Sequence, residues 1–333
     1  MLNLKIQQFG GRGSRSGLGV GGPGVGFIDF INAVAGAGDI PLPEYDNYPD
    51  FPDPDYSKYK LQTNDNFIKQ TFSLLNYKRA EHDTTAQKYL KLLGINKNIK
   101  YSNLNDGSSV GYVESIVDLD GNMRVYKFNL NKADTRRMEY KVKTMIHEGY
   151  HASNDGLQYP GGKLSRPVAR FHEETRTEMS ALFLAKKLNG YDYVPSYTLE
   201  VVSAAAKYKR LEEYKHCKTL SDLGEVFYRE RMVNKTNTSY EQIDKKFNAV
   251  KLDDNYYKRY YNRIVNNSEK YYEACKNSLF NFRYFDTTYV GRYKSSFDGM
   301  INKIKNNEKL TSGLEKRQFV MCVALSMNDG GIL

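Results

Sequence analysis

Two histidines four residues apart flank a glutamate in the run His147-Glu148-Gly149-Tyr150-His151. On a helix of about 3.6 residues per turn they project from one face, one above the other. Two imidazoles so placed can share one metal ion. Zinc takes neutral imidazole nitrogen, and a zinc ion that does chemistry keeps three protein ligands and leaves the fourth position to water. Glu148, beside the pair, is where a base must stand to take that water's proton. The spacing therefore predicts Zn2+ on His147 and His151, with Glu148 as general base, and requires a third ligand from elsewhere in the chain. The alternative is two surface histidines on an ordinary helix.

The elements around the motif favour the first reading. Met138, Val142, Met145 and Ile146 recur at helical spacing ahead of it, an apolar stripe that turns the histidines inward. The next helical pattern covers residues 171–188 and is stopped by Asn189-Gly190. Glu174, Glu178, Ala181, Leu182 and Ala185 share one of its faces. A carboxylate on so apolar a face needs a metal or a cation. Glu178 is the predicted third ligand, because small Ala181 and Ala185 beside it allow the motif helix to approach. Glu174, one turn earlier, is predicted to orient His147 or His151 and is the alternative ligand. His172 reads as a solvated residue of a first helical turn. Glu173 reads as an acid meeting the helix dipole.

Upstream of the motif, residues 110–117 and 123–130 alternate in polarity around Leu119-Asp120-Gly121-Asn122, which predicts a β-hairpin. Residues 64–93 carry a helical pattern that Gly94 would stop. Residues 27–35 suit a short amphipathic helix. Pro41, Pro43, Pro52 and Pro54 among acids make a stiff linker. Residues 1–26 are rich in Gly and Ser and read as a flexible arm. Beyond Val194 the chain looks helical and rich in Tyr, Lys and Asn. Tyr256, Tyr257, Tyr260 and Tyr261 fall at helical spacing and are predicted to cover a core with wet hydroxyls, in preference to stacking on single-stranded bases. Residues 319–325 are apolar enough for a buried strand or helix.

Two resemblances add to these readings. HEGYH followed by FHEETRTEMSALFLAKKLNG resembles the zincin metallopeptidase domain of plasmid antirestriction and phage polyvalent proteins, in which an H-E-x-x-H helix precedes a helix with a Glu-Glu-x-x-x-Glu-x-x-Ala run. Glu173, Glu174, Glu178 and Ala181 match that run, and the similarity spans roughly residues 123–190. It implies a zinc peptidase liganded by His147, His151 and a glutamate, with Glu148 as base. It also implies that the hairpin offers a strand edge to a peptide. The chain departs from the family after the second histidine, where Ala152-Ser153-Asn154-Asp155-Gly156 replaces Trp-Thr-Gly-His or similar. The family's single-stranded-DNA-binding neighbour is not recognisable, so DNA binding is not carried over. The opening IQQFGGRGSRSG resembles the start of phage and prophage virion-associated proteins and implies docking on a phage particle.

Composition bounds the alternatives. The formal net charge of +10 divides as −4 over residues 1–56, +8 over 57–190 and +6 over 191–333. The excess is spread over folded regions, which suits a solvated basic surface better than a nucleic-acid stripe. Three widely spaced cysteines, Cys217, Cys275 and Cys322, argue against a disulfide framework and a cysteine zinc knot and read as reduced, mostly buried thiols. No signal peptide and no apolar run of about 18 residues is visible, so a cytoplasmic or virion-associated protein without a membrane span is expected. The sequence thus predicts an α+β protein in three parts: residues 1–56 as arm and linker, 57–195 as a zincin-like metallopeptidase core of small sheet and H-E-x-x-H helix, and 196–333 as a helical lobe. Its predicted activity is hydrolysis of a protein or peptide substrate. The alternatives are a phage virion or cargo protein with a non-catalytic metal site, and a basic Tyr-rich nucleic-acid-binding protein.

Overall fold

The structure is a computed structural model that describes residues 6–10, 98–102, 111–131, 138–154, 157–189, 193–234, 236–253, 255–279 and 287–333. The predicted helices at 27–35 and 64–93 and the Pro-rich linker lie outside these residues. The described chain is rich in α-helix and falls into two compact units. The first takes the strands, the residues up to 189 and Ser221–Lys245; the second takes residues 193–220 and Lys246–Leu333. Ser221–Lys245, expected in the lobe at 196–333, thus groups with the unit that carries the histidine motif.

In the first unit, β1 (Ile6–Gly10), β2 (Asn98–Ser102), β3 (Gly111–Val117) and β4 (Met123–Asn131) form a sheet of order β1-β3-β4-β2. β3 and β4 are the predicted antiparallel hairpin, with a register shift between Glu114 and Ser115. Gly121 sits at φ +83°, a conformation side chains strain to adopt, and Asp118 Oδ1 accepts from the Asn122 amide at 2.8 Å to close the turn. β1 differs from the flexible arm that its composition predicts: residues 6–10 pair antiparallel with β3, Ile6 opposite Ile116 and Phe9 opposite Val113. As an edge strand it finds backbone hydrogen-bond partners on β3.

Helix α1 (Met138–Ala152) follows the hairpin and packs on β3 and β4, and α2 (Arg166–Asn189) packs on α1. Pro167 lies in the first turn of α2, where its missing N–H costs nothing. The loop between the helices returns to the hairpin: the Met123 amide donates to Leu157 O at 2.8 Å and the Tyr159 amide to Gly121 O at 2.8 Å. α2 is buried on every side from His172 to Ala185, a wider burial than the single apolar face predicted.

Next come α3 (Thr198–Tyr208), in the second unit, and α4 (Leu220–Tyr228), which runs into a π-helical turn at Arg229–Val233. Gly224 of α4 lies against the backbone of α2 so closely that a Cβ there would stand 2.1 Å from Met179 O. α5 (Tyr240–Ala249) crosses from the first unit into the second, which continues with α6 (Tyr261–Asn266), α7 (Ser268–Leu279), α8 (Thr287–Lys305) and α9 (Gly313–Asp329). The apolar run at 319–325 is the buried middle of α9. All three cysteines are free and buried, as expected. Tyr256 and Tyr260 are buried too, but their hydroxyls bond one another at 3.0 Å, and Tyr260 accepts from the Leu333 amide at 2.9 Å. Those two hydroxyls are therefore satisfied inside the protein rather than wet. Among the described residues, no helix is long and apolar enough to cross a membrane.

Candidate metal centre

The histidines of α1 face α2 and are buried, as their apolar stripe predicts. His147 Nε2 lies 3.1 Å from His151 Nε2, and Glu174 Oε2 lies 3.2 Å from the first and 3.3 Å from the second. Three possible ligand atoms converge on one point. Ligand atoms of a tetrahedral zinc, with bonds of about 2.0–2.1 Å, stand roughly 3.3 Å apart. His147, His151 and Glu174 are thus a buried group able to hold a metal ion.

The two glutamates exchange the places predicted for them. Glu178, the expected third ligand, is turned away from this point: its Oε2 lies 2.7 Å from His147 Nδ1 and its Oε1 accepts from Lys143 Nζ. Glu174, expected to orient a histidine, joins the two Nε2 atoms instead. One helical turn separates the glutamates on the same face, and the Lys143 ammonium claims the deeper of them.

Residues outside the predicted ligand set complete the surroundings. Glu173 faces His151 Nδ1 at 2.9 Å through Oε1, an arrangement parallel to that of Glu178 and His147. It is buried at 3% exposure, so the helix dipole does not account for it. It also accepts from Asn154 Nδ2 at 2.9 Å, from Arg231 Nη1 and Nη2 at 3.0 and 2.7 Å, and from the Tyr240 hydroxyl. His172, expected in solvent, is buried with its Nε2 2.9 Å from Asp244 Oδ1 and is no member of the metal group. Arg170 also lies at the site, its Nε donating to Glu174 Oε1 at 3.4 Å.

Glu148 stands out. It is fully buried, and neither carboxylate oxygen has a hydrogen-bond partner among the described residues. Burial pushes its carboxyl up to about 7, against the pull of His147 and His151. The other acids go the opposite way. Burial acts to raise Glu174, but His151 and His147 outweigh it and hold the carboxyl at about 2. Glu178, beside Lys143 and His147, and Glu173, beside Arg231 and His151, are likewise held below the ordinary carboxylate range despite their burial. Burial acts to lower His147, yet bonds to Glu174 and Glu178 raise it to about 10.

Charge provides a second test of fit. Among the described residues, Glu173, Glu174 and Glu178 are buried carboxylates held in the charged form, faced by the cations Lys143, Arg231 and the half-buried Arg170. A divalent cation at the two Nε2 atoms and Glu174 would add positive charge where these acids and Glu148 gather. Donor type and spacing suit a divalent metal ion such as zinc. Comparison with protein families, curated proteins and solved structures gave no match, so the reading of this site rests on its own geometry.

Proposed function

We propose that the protein is a zinc-dependent metallopeptidase of zincin-like architecture, with His147, His151 and Glu174 holding the ion and Glu148 as general base. The observation that carries the proposal is Glu148: a wholly buried carboxylate with no hydrogen-bond partner among the described residues, beside a group able to hold a metal. Such a group is costly to the fold and is understandable where a proton must be taken. Packing of α1 on β3 and β4 supports the accompanying fold, a small sheet behind the motif helix.

Bound zinc supplies a Lewis acid that polarises the scissile carbonyl and brings the pKa of water toward about 7. The side chains do the remainder. Glu148 accepts the water's proton on a carboxylate oxygen and passes it to the leaving amine. A base works best with a pKa near the working pH, and burial moves this carboxyl in that direction. Glu178 and Glu173, on the Nδ1 atoms, keep each imidazole proton there and leave the Nε2 lone pairs for the ion.

The test uses the full chain reconstituted with one equivalent of zinc and a mixture of denatured proteins, with new amino termini read by mass spectrometry. Wild type is expected to cleave, and Glu148→Gln to bind zinc equally but not cleave. Failure of the wild type to retain zinc, or equal cleavage by Glu148→Gln, overturns the proposal. A structural zinc is the second reading. It is favoured by the 1–4% exposure of the three ligands, since structural sites are closed. On that reading both proteins bind zinc and neither cleaves.

A further inference from the structure

The carboxylate of Glu173 is surrounded by donors from three separate stretches of chain. Asn154 follows α1, Arg231 is the middle residue of the π-helical turn, and Tyr240 opens α5. Oε1 takes Asn154 Nδ2 and Arg231 Nη1, while Oε2 takes Arg231 Nη2 and the Tyr240 hydroxyl. An ionised carboxylate only accepts. A ring nitrogen brought to 2.9 Å from it must therefore donate, which puts a proton on His151 Nδ1. The opposite nitrogen of a neutral ring then bears the lone pair, and that is the Nε2 facing His147 and Glu174.

Arg231 is itself built in. Its guanidinium lies 4.0 Å from the Tyr150 ring centroid, Nη1 donates to Tyr150 O at 3.3 Å, and Nη2 donates to the Tyr240 hydroxyl at 2.8 Å. The turn that carries it is closed by the Asn234 amide donating to Arg229 O at 2.8 Å, five residues back. The extra residue widens the helix there. π-Turns of this kind recur at functional sites, where they re-aim a side chain that a regular helix would point elsewhere.

We propose that Arg231 and Tyr240 are positioning residues of the metal centre: acting through Glu173, they hold His151 with its proton on Nδ1 and its Nε2 lone pair toward the ion. This rests on zinc binding by His147, His151 and Glu174, and not on peptide hydrolysis. It assigns a role in metal binding to Ser221–Lys245, a segment remote in sequence from both ligand helices.

The experiment measures the zinc dissociation constant of the full chain by competition with a chromogenic chelator. Nitrogen-15 NMR of the zinc-loaded protein then reads the tautomer of His151. The variants are Glu173→Gln, Arg231→Met, Arg231→Lys and Tyr240→Phe. Loss of an outer hydrogen-bond partner typically weakens metal binding about 10–100-fold, which is the range expected for Glu173→Gln and Arg231→Met. Arg231→Lys keeps the charge without the two-pronged contact and should recover part of that loss. Tyr240→Phe removes one hydroxyl from an otherwise unchanged ring and is expected to remain folded and to weaken zinc about 10-fold, the lower limit of the same range. In Glu173→Gln the His151 nitrogen signals should shift toward a mixture of tautomers. A purely structural role would lower thermal stability and leave the dissociation constant and the His151 signals of folded protein unchanged, and that result in Tyr240→Phe and Arg231→Lys overturns the proposal alone. No zinc uptake by wild type overturns the metal centre and this proposal together.

Discussion

The interiors of the two units solve the same problem in opposite ways. In the second, the buried polar groups are mostly neutral: the hydroxyls of Tyr256 and Tyr260, the thiols of Cys275 and Cys322, and the amide of Gln318. Burial pushes the Tyr260 hydroxyl and the Cys322 thiol up, so neither ionises at neutral pH. In the first, Glu173, Glu174, Glu178, Lys143 and Arg231 keep their charges within a few ångströms of one another. Burying charge is costly even when it is paired, and an apolar replacement of the same volume is often no less stable. The contrast teaches that the first interior is shaped by something other than stability, and it is the interior that contains a group able to hold a metal ion, His147, His151 and Glu174.

If so, metal should stabilise one interior and not the other. Zinc at about 1,000 times its dissociation constant contributes about 4 kcal/mol to the state that binds it. Chelation is expected to speed amide hydrogen exchange across residues 166–189 while leaving residues 313–329 unchanged. His151→Ala, which deletes one of three ligands, should abolish the response to chelator altogether. An equal response in both segments would show that the two interiors are not independent in this respect.

The next largest effect separates the two glutamates. Glu174→Gln is expected to lose zinc, whereas Glu178→Gln should retain it with a dissociation constant raised about 10–100-fold. Glu178→Gln carries a further penalty, because it leaves the Lys143 ammonium buried without its anion at a cost of about 3–5 kcal/mol. The expected signature is a crossed one: the variant that keeps metal is the less stable when metal-free. Zinc retained in Glu174→Gln and lost in Glu178→Gln would restore the assignment made from sequence.

Glu148→Gln should act in the opposite direction on stability. An acid raised to about 7 from 4.5 binds its proton more tightly when folded. Its contribution is therefore most favourable below pH 4.5, is lost as pH rises toward 7, and stays lost above. The difference amounts to about 3 kcal/mol if the whole shift is realised. The metal-free Gln variant should match wild type near pH 4 and exceed it by about 1–3 kcal/mol at pH 8, measured by urea unfolding. A variant less stable than wild type at pH 8 would mean that Glu148 has a partner, and the case for it as a base would weaken.

These assignments mark how far the sequence could be read. The hairpin was legible because Asp120-Gly121 is a turn signal with one mechanism, and α1 because its apolar stripe and histidines share a period. Which glutamate meets the histidines was not legible. Glu174 and Glu178 lie on the same stripe, and the choice depends on how α1 crosses α2, which a helical period does not encode. Lys143 could have been found, since it lies four residues before His147 on the same face. The role of Glu173 could not, because its partners Arg231 and Tyr240 are 58 and 67 residues away. β1 was missed because the glycine that follows it dominates the composition of the arm.

The smallest predicted effect tests the neutral interior. Ser312 caps α9 by accepting from the Glu315 amide at 3.0 Å, while Glu315 accepts from the Ser312 amide at 3.2 Å, a reciprocal capping box. Lys303 of α8 holds the same carboxylate at 2.7 and 2.8 Å. Ser312→Ala removes a local hydrogen bond at a helix start and should cost about 1 kcal/mol. Because the cap belongs to the second unit and the metal group to the first, this cost should be the same with and without zinc, when unfolding of α9 is followed by hydrogen exchange. A zinc-dependent cost would show that the second interior feels the metal after all, and would replace two separate solutions with one coupled one.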